Sequence, residues 1–229
     1  MRYGQFCPIS KAAEILCERW TLLIVRELLL GSSRYNEFQR ALSRISPTLL
    51  SKRLSELEAA NLVFKRKIPG SRGYEYFLTQ AGNELGPIVM NLGEWGMQWA
   101  RDQMDLEDLD IELLMWDIRR RLDTQYLPPT ETIIKFHFTD LKTFSDWWIL
   151  INGDERDLCT DNPGKEVDLY FTCDAQTMVD LWQGDVTLND AINHRGLKIV
   201  GDANLKKSVK KWFSLSLLAQ HGRAAIGED

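Results

Sequence analysis

The sequence has little cysteine and no long apolar stretch, and both absences exclude classes of protein. Its 229 residues include four cysteines, too few for a disulfide-stapled scaffold, and none has the spacing of zinc ligands. The longest stretch without Asp, Glu, Lys or Arg is 11 residues, 212–222, whereas a membrane-spanning helix needs about 20. Residues 1–10 lack the basic and then apolar pattern of a secretory signal. We therefore expect a cytoplasmic protein with reduced thiols and no membrane partner.

Histidine is also scarce, and familiar catalytic motifs are missing. Three histidines, His137, His194 and His221, are scattered over the second half, and no nucleophile elbow, P-loop or dinucleotide-binding fingerprint occurs. Asp190 and His194 could pair on one helix face, but two groups form neither a triad nor a metal site. We expect no catalysis, no cofactor and no metal. The alternative is an enzyme whose activity lies in residues 105–229, and turnover by that fragment would reveal it.

The net charge of −5 argues mildly against nucleic-acid binding until it is divided along the chain. An acidic run begins at Asp105, where we place a boundary. Residues 1–104 carry 14 Lys and Arg against 10 Asp and Glu, net +4, whereas residues 105–229 carry 14 against 23, net −9. The first part is basic enough to approach a polyanion, and the second should be repelled by one.

Four helices are predicted in the basic part, and the fourth has a face suited to DNA. Apolar spacing and capping signals place them at 9–16, 20–30, 34–42 and 47–60. In the fourth helix, three leucines share one narrow face and small polar or basic residues share the other. The leucines are Leu50, Leu54 and Leu57; the opposite face has Thr48, Lys52, Ser55 and Ala59, with Ser51 and Arg53 on its flanks. Short donors and a cation can approach base edges, although a solvated helix face has the same composition.

A basic hairpin follows this helix. Strand patterns at 62–68 and 74–78 flank a turn-forming stretch, Pro69–Gly73, with Lys65, Arg66 and Lys67 leading into the turn and Arg72 on it. A basic hairpin directly after a helix-turn-helix is typical of a winged helix, whose wing cations contact phosphates.

The next predicted helix is unusually apolar. Thr79 caps it, it runs toward Trp99, and Gly86 or Pro87 should kink or divide it. A winged helix domain does not need so long an apolar helix. Its length therefore indicates a dimer, since duplex sites are commonly read as two half-sites. The alternative is that this helix packs within its own chain.

Residues 7–99 resemble the HxlR-type winged helix-turn-helix transcription regulators. The motifs that carry the resemblance are Cys7-Pro8, Arg19-Trp20-Thr21-Leu22-Leu23-Ile24, Arg26-Glu27-Leu28, Tyr35-Asn36-Glu37-Phe38, the stretch from Ile45-Ser46-Pro47-Thr48 to Leu54, Leu57 to Val63, Leu78-Thr79-Gln80-Ala81-Gly82 and Leu92-Gly93-Glu94-Trp95. The resemblance implies a homodimeric DNA-binding regulator whose recognition helix begins at Ser46-Pro47. The predicted contacts to double-stranded DNA are Arg34, Tyr35, Ser46, Pro47, Thr48, Ser51, Lys52, Arg53, Ser55, Arg66, Lys67 and Arg72.

Cys7 is a candidate redox sensor. In some members of the family a cysteine at this Cys-Pro position senses electrophiles or oxidants. The chemistry requires an exposed thiol of low pKa, and Arg2 is the only cation near it before Lys11. A buried structural cysteine is the alternative.

The acidic part has the pattern of an α+β domain. Helices are predicted at 105–122, from Asp174 to Gly184, after Thr187 and at 204–218, and strands at 132–138, 147–151, 156–160, 167–172 and 197–200. Asn152-Gly153-Asp154 is a hairpin turn signal. This order implies one antiparallel-rich sheet with helices on one face.

Residues 130–219 resemble the sterol carrier protein-2-like (SCP2-like) domain. The motifs are Val167–Thr172, Asp174-Ala175 through Leu181-Trp182-Gln183-Gly184, Asp190-Ala191 and Gly196-Leu197-Lys198-Ile199-Val200-Gly201-Asp202. The resemblance implies a tunnel that holds apolar small molecules. Candidate lining residues are Phe136, Trp148, Phe171, Trp182 and Trp212, although aromatics at this spacing also form ordinary cores.

The sequence therefore predicts an α+β protein with a winged helix domain at 1–104, a helical linker at 105–128 and an SCP2-like domain at 129–229. We expect a homodimeric DNA-binding regulator whose second domain binds an apolar ligand or a protein partner and modulates DNA affinity. The alternative is a protein-interaction module that does not read DNA, and a salt-dependent gel shift separates the two.

Overall fold

The computed structural model describes residues 2–104 and 109–219. The chain divides into two compact units, Met1–Trp95 and Gly96–Asp229.

The first unit is a helix-turn-helix followed by a two-stranded hairpin. Its elements are α1 (Pro8–Leu16), α2 (Thr21–Leu29), α3 (Tyr35–Ala41), α4 (Pro47–Ala59), β1 (Val63–Lys67), β2 (Tyr74–Leu78), α5 (Gln80–Asn83) and α6 (Gly86–Trp99), the last of which runs across the boundary at Trp95. β1 and β2 pair antiparallel, with Lys67 opposite Tyr74. The backbone N–H of Tyr76 donates to the Ser33 carbonyl over 2.8 Å, which ties the segment before α3 to the hairpin. The predicted winged helix is confirmed.

The helices α2, α3 and α4 each contribute one apolar face to the core of this unit. Ile24 and Val25 of α2, Phe38 of α3 and Leu50 of α4 are fully buried. Burial of such side chains contributes about 1.5–3 kcal/mol each, so the apolar stripes that predicted the helices also hold them together.

Gly82 allows α5 to pack closely against the backbone at Leu62. Thr79 caps α5 by accepting a hydrogen bond from Gly82 N, and Thr79 N donates to the Leu62 carbonyl. A Cβ on Gly82 would overlap the Leu62 carbonyl oxygen, so only glycine permits this contact. α5 ends at Asn83 and α6 begins at Gly86, as the predicted division of this helix requires.

The second unit is a mixed sheet with its helices on one face. Its elements are α7 (Ile111–Arg121), β3 (Thr132–Phe138), β4 (Asp146–Asn152), β5 (Glu155–Cys159), β6 (Leu169–Cys173), α8 (Ala175–Gln183), α9 (Leu188–His194), β7 (Lys198–Gly201) and α10 (Ala203–Trp212), with short 3-10 helices at Arg101–Gln103 and Thr124–Tyr126. The strand order is β5-β4-β3-β6-β7. β3 and β6 are parallel and the other pairs are antiparallel. The predicted α+β class is confirmed.

Strand alternation decides which residues enter the core of this unit. Ile134, Phe136 and Phe138 of β3 point to the face covered by helices, where they pack with residues of α7, α8 and α10. The intervening residues, such as Lys135, lie on the opposite face.

Two predicted helices differ from the observed ones by several residues. The closing helix, predicted to reach Leu218, ends at Trp212. Phe213 leaves the helical conformation at φ −87°, ψ 94° and is buried, with its ring stacked on Phe171 at 5.9 Å. The helix predicted from Asp105 begins at Ile111 after its cap, Asp110. Residues 105–108 lie outside the described residues.

In the described ranges, every helix is too short or too polar to cross a lipid bilayer.

Candidate functional site

The fourth helix presents the predicted polar face to solvent. Ser46 caps α4 by accepting a hydrogen bond from Leu49 N over 3.3 Å, and Pro47 occupies the first turn. Leu50, Leu54 and Leu57 are buried beneath the helix. The predicted contact residues on the other side are exposed: Ser46, Pro47, Thr48, Ser51, Lys52 and Ser55. The side chain of Lys52 is 64% exposed, and its ammonium lies 3.8 Å from Glu56, a loose pair in solvent.

Helix α3 holds the start of this helix in place. The Tyr35 hydroxyl donates to the Pro47 carbonyl over 2.7 Å, and the Ser51 hydroxyl donates to the Tyr35 oxygen over 3.3 Å. Arg34 precedes α3 with an exposed guanidinium, 3.7 Å from Glu75. Tyr35 therefore orients the helix as well as lying beside its exposed face.

The predicted contact Arg53 is on the other side of the helix. Its side chain is 8% exposed and pairs with Glu18 and Glu56. This position lies about 60° from Leu50 around the helix, next to the leucine face, which is the signal that could have predicted its burial. Arg53 cannot reach base edges from there, so the structure corrects its assignment as a DNA contact.

Some of the hairpin cations form ion pairs within the protein and others do not. Lys65 pairs with Glu58 at 2.9 Å, and that hydrogen bond raises the pKa of the Lys65 ammonium. Arg66 pairs with Glu75 at 3.1 Å and lies over the Phe77 ring at 4.6 Å, although its side chain stays 67% exposed.

The other two hairpin cations are available for an external anion. Lys67 and Arg72 are exposed and form no ion pair with any described residue. Arg72 lies on a turn closed by an Ile68 N–Gly73 O hydrogen bond of 3.1 Å, with Gly70 at a φ of 72°. A hairpin tip with two exposed cations that form no ion pair with the described residues is suited to phosphate contacts.

Helix α6 has a half-exposed apolar stripe. Ile88, Leu92, Trp95 and Trp99 are 53%, 49%, 57% and 53% exposed. Their spacing of four, three and four residues places them on one face of the helix. Four large apolar side chains on one exposed face indicate a surface for another protein.

Cys7 lies at the N-cap of α1 and is partly exposed. Hydrogen bonding by the backbone N–H groups of Ser10 and Ile9 lowers the pKa of its thiol. A helix N-terminus stabilises a thiolate in this way. The activation comes from backbone groups, which a count of neighbouring cations in the sequence could not reveal.

The five aromatic residues predicted to line a tunnel do not surround one cavity. Phe136, Phe171 and Trp212 are fully buried, and the Phe136 and Phe171 rings stack at 4.9 Å. Trp148 is paired in register with Lys135, on the sheet face away from the helices, with the Lys135 ammonium 4.8 Å from its ring. The first three are core residues and Trp148 is separated from them by the sheet, so the predicted lining set is corrected.

Trp182 does line a cavity, at a different place. A cavity of about 220 Å³ lies between α7 and α8, with Arg101, Met104 and Leu109 also lining it. Apolar walls come from Leu113, Leu114, Val179 and Trp182.

The rim of this cavity carries charge. Arg101, which is buried, pairs with Asp185 and donates to the Gln183 side chain over 2.7 Å. The rim and the apolar walls together suit a small apolar or amphipathic molecule.

The titratable groups of the second unit form small local pairs. His137 Nδ1 lies 3.1 Å from Asp146, which also pairs with Lys135 at 2.7 Å. Asp190 accepts a hydrogen bond of 2.6 Å from the hydroxyl of Thr187, the N-cap of α9. Throughout residues 2–104 and 109–219, no group of three His, Cys, Asp or Glu could hold a metal ion. His221 lies outside the described residues.

Comparison with known proteins identifies both units. The model of the HxlR-like helix-turn-helix family matches residues 15–104, and that of the SCP-2 sterol transfer family matches residues 119–214. The uncharacterized HTH-type transcriptional regulator YvaP of Bacillus subtilis is 41% identical over 101 residues, which cover 43% of this chain and 94% of YvaP. YybR, another such regulator of B. subtilis, is 32% identical over 93 residues, 39% of this chain and 73% of YybR.

One solved structure among the matches is the reduced form of the transcriptional regulator YodB from B. subtilis. It is 29% identical, covers 43% of this chain and 98% of YodB, and superposes with a TM-score of 0.38. The family and domain assignments rest on the sequence matches. The chain belongs to the HxlR-like helix-turn-helix family of transcriptional regulators, and it carries an SCP-2 sterol transfer family domain after the helix-turn-helix domain.

Proposed function

We propose that this transcription regulator reads DNA as a homodimer, with the exposed face of α4 in the major groove. The observation that carries the proposal is the division of α4 into buried leucines and exposed Thr48, Ser51, Lys52 and Ser55. The hydroxyl groups and the ammonium on this face can form hydrogen bonds with base edges in the groove. A chromosomal partner implies a cytoplasmic location.

The wing and the start of α3 supply the contacts to the backbone of the duplex in this proposal. Lys67 and Arg72 are exposed and uncommitted, and Arg34 and Arg66 are exposed although each lies near Glu75. Ser46 and Pro47 bring the N-terminus of α4 toward a phosphate, where backbone N–H groups favour an anion. Tyr35 orients this end of the helix through the Pro47 carbonyl.

Fluorescence anisotropy on labelled duplexes tests the proposal. The duplex from the promoter upstream of the protein's own gene is compared with a shuffled duplex, each from 50 to 200 mM salt. We expect tight binding to the promoter and weaker binding to the shuffled sequence, with affinity falling steeply as salt rises. Equal binding to both duplexes, or no salt dependence, would favour a protein-interaction module instead.

Dimerisation is proposed to use the stripe of Ile88, Leu92, Trp95 and Trp99, with a second copy of this chain as the occupant. The support is its exposed area on a helix of 14 residues together with the family's DNA-binding function, because duplex sites are commonly read as two half-sites. Two-fold symmetry would place the same stripe on both sides of the interface.

The second unit is proposed to bind a small apolar molecule in the cavity between α7 and α8. The support is a lining that combines apolar walls with one charged edge, at a volume above the roughly 150 Å³ that holds benzene in an engineered cavity. A ligand that favours one dimer geometry would change DNA affinity by its differential affinity for the two states. Denaturing mass spectrometry of organic extracts from the purified protein would detect a co-purified ligand.

Cys7 is proposed as a thiol that responds to oxidants or electrophiles. The support is its partial exposure and the lowered pKa that the first turn of α1 imposes. Exposure gives such reagents access to the sulfur, and the lowered pKa increases the thiolate fraction that they attack.

A further inference from the structure

Arg53 is a charged side chain buried beneath the helix proposed to read DNA. Its Nε donates to the Arg19 carbonyl over 2.9 Å, and one terminal nitrogen donates to Glu18 over 2.8 Å. The other terminal nitrogen donates to Glu56 over 2.5 Å. All three arms of the guanidinium are engaged, and two of them reach the turn between α1 and α2, 34 and 35 residues earlier.

The turn that receives Arg53 has a constrained backbone. Thr21 N donates to the Glu18 carbonyl over 3.0 Å, which closes the turn, and Trp20 has a φ of 77°. A non-glycine residue in this left-handed region is strained and persists only where its surroundings impose it. The Arg19 guanidinium lies over the Trp20 ring at 5.3 Å. The constrained turn thus fixes the position and direction of the Arg19 carbonyl that accepts from Arg53.

Two hydrogen bonds therefore fix α4 at separate points along its length. Tyr35 holds the Pro47 carbonyl in the first turn, and Arg53 holds the second turn to Arg19. The buried leucines hold α4 against the core, and the two separated polar attachments define the direction of its axis there. The planar fork of arginine makes such a multiple attachment, which the ammonium of lysine cannot reproduce.

We propose that Arg53 is a positioning residue for DNA reading: it fixes the angle at which α4 presents its polar face by fastening the helix to the α1–α2 turn. The proposal rests on the proposed DNA-reading function and deepens it, because it assigns sequence discrimination partly to a side chain that touches no base. Loss of the attachment lets the end of α4 shift on its leucine core, so base-edge contacts weaken while phosphate contacts persist.

The test compares Arg53→Met with Arg72→Met, two variants with the same chemical change at a buried and an exposed position. Wild type first selects a preferred duplex from a random-sequence library. The dissociation constants of each protein for that duplex and for a shuffled duplex are then measured across a salt series. Thermal unfolding of each variant reports whether it is folded at the assay temperature.

For Arg53→Met we expect the ratio of preferred to shuffled affinity to fall roughly tenfold or more, with the salt slope unchanged. For Arg72→Met we expect both affinities to fall alike and the slope to decrease by about 1, with the ratio retained. Arg53→Lys should recover the ratio only in part. An unchanged ratio in a folded Arg53→Met protein would overturn the positioning role.

Glu18→Gln keeps the proposal testable if Arg53→Met fails to fold. Glu18 is 36% exposed, so its neutralisation disturbs the fold little while weakening one arm of the attachment. We expect a smaller fall in the ratio at an unchanged melting temperature, and a ratio equal to that of wild type would count against the proposal. A wild-type protein that selects no duplex from the library would overturn the proposed DNA reading itself, and the role of Arg53 with it.

Discussion

The Tyr35 hydroxyl donates a hydrogen bond of 2.7 Å to the carbonyl of Pro47, the first residue of α4. Tyr35 also begins α3, so a single side chain joins the two helices of the helix-turn-helix. The Ser51 hydroxyl, one turn further along α4, donates to the same Tyr35 oxygen. The exposed face of α4 is thus built on a hydrogen-bonded frame as well as on buried leucines.

Tyr35→Phe removes the hydroxyl that makes these hydrogen bonds and keeps the aromatic ring. We expect the free energy of unfolding to fall by about 1–2 kcal/mol, since two neutral hydrogen bonds, one to the Pro47 carbonyl and one from the Ser51 hydroxyl, are lost at a partly exposed site. Affinity for a preferred duplex should fall as well, measured by anisotropy. Tyr170→Phe is the matched control, because Tyr170 is exposed on β6, outside the proposed DNA surface. Equal effects of the two substitutions would contradict the framing role of Tyr35.

Glu75 restrains two cations of the proposed DNA surface. Its carboxylate lies 3.1 Å from Arg66 and 3.7 Å from Arg34. Glu75→Gln removes a negative charge next to the phosphates and releases both guanidinium groups, so we expect DNA affinity to rise about threefold, with a steeper salt dependence.

Glu84→Gln makes the same change in charge on a residue outside the wing, at the end of α5. It should leave DNA affinity close to that of wild type. If Glu75→Gln binds no more tightly than Glu84→Gln in the same anisotropy series, Arg34 and Arg66 do not contact the duplex.

Local signals in the sequence predicted most element boundaries. β2 and β3 have the predicted bounds, because alternating strands lay between clear turn residues. Ser46, Thr79 and Asp174 cap helices as predicted, each accepting a backbone hydrogen bond. Strand bounds and helix caps of this kind depend on a few neighbouring residues, so they can be predicted without knowledge of the tertiary structure.

Features set by distant residues were not predictable. The C-terminal end of α10 depends on Phe213 turning inward to stack on Phe171, a contact across the core. In β4, apolar residues occupy consecutive positions, so alternation could not tell that Trp147 faces the core and Trp148 the other side. The partners of Arg53 likewise could not be predicted, because Glu18 and Arg19 lie 35 and 34 residues earlier in the turn between α1 and α2, although its position next to the leucine face could have predicted its burial.

The stripe on α6 predicts a dimer that a single charge would weaken. Trp95→Asp places a carboxylate in the centre of the proposed interface, and a buried unpaired charge there is costly. We expect the dimer dissociation constant to rise about a hundredfold or more, measured by sedimentation equilibrium. Phe144→Asp, at a loop residue that is 66% exposed in the other unit, should leave it unchanged. A wild-type monomer at micromolar concentration would contradict the dimer.

Cys7 should alkylate faster than an ordinary thiol at neutral pH. The lowered pKa of its thiol increases the thiolate fraction below the usual pKa of about 8.5, so the rate with iodoacetamide should reach half its maximum at a lower pH than in an unstructured peptide. Mass spectrometry after brief labelling gives the rate at each site. Cys173 is the internal control, since burial raises its pKa to about 12. A Cys7 profile that matches the peptide would contradict its activation.

The cavity between α7 and α8 predicts binding of a small aromatic probe that one substitution should abolish. Val179 lines the cavity, and Val179→Phe fills it with several additional carbon atoms. Val200→Phe makes the same change at a residue that is 62% exposed on β7, away from the cavity lining. With indole as the probe, ligand-observed NMR should show saturation transfer in wild type and Val200→Phe and none in Val179→Phe. Equal transfer in both variants would mean that indole binds elsewhere, and no transfer in wild type would mean that the cavity does not admit a ligand of this size.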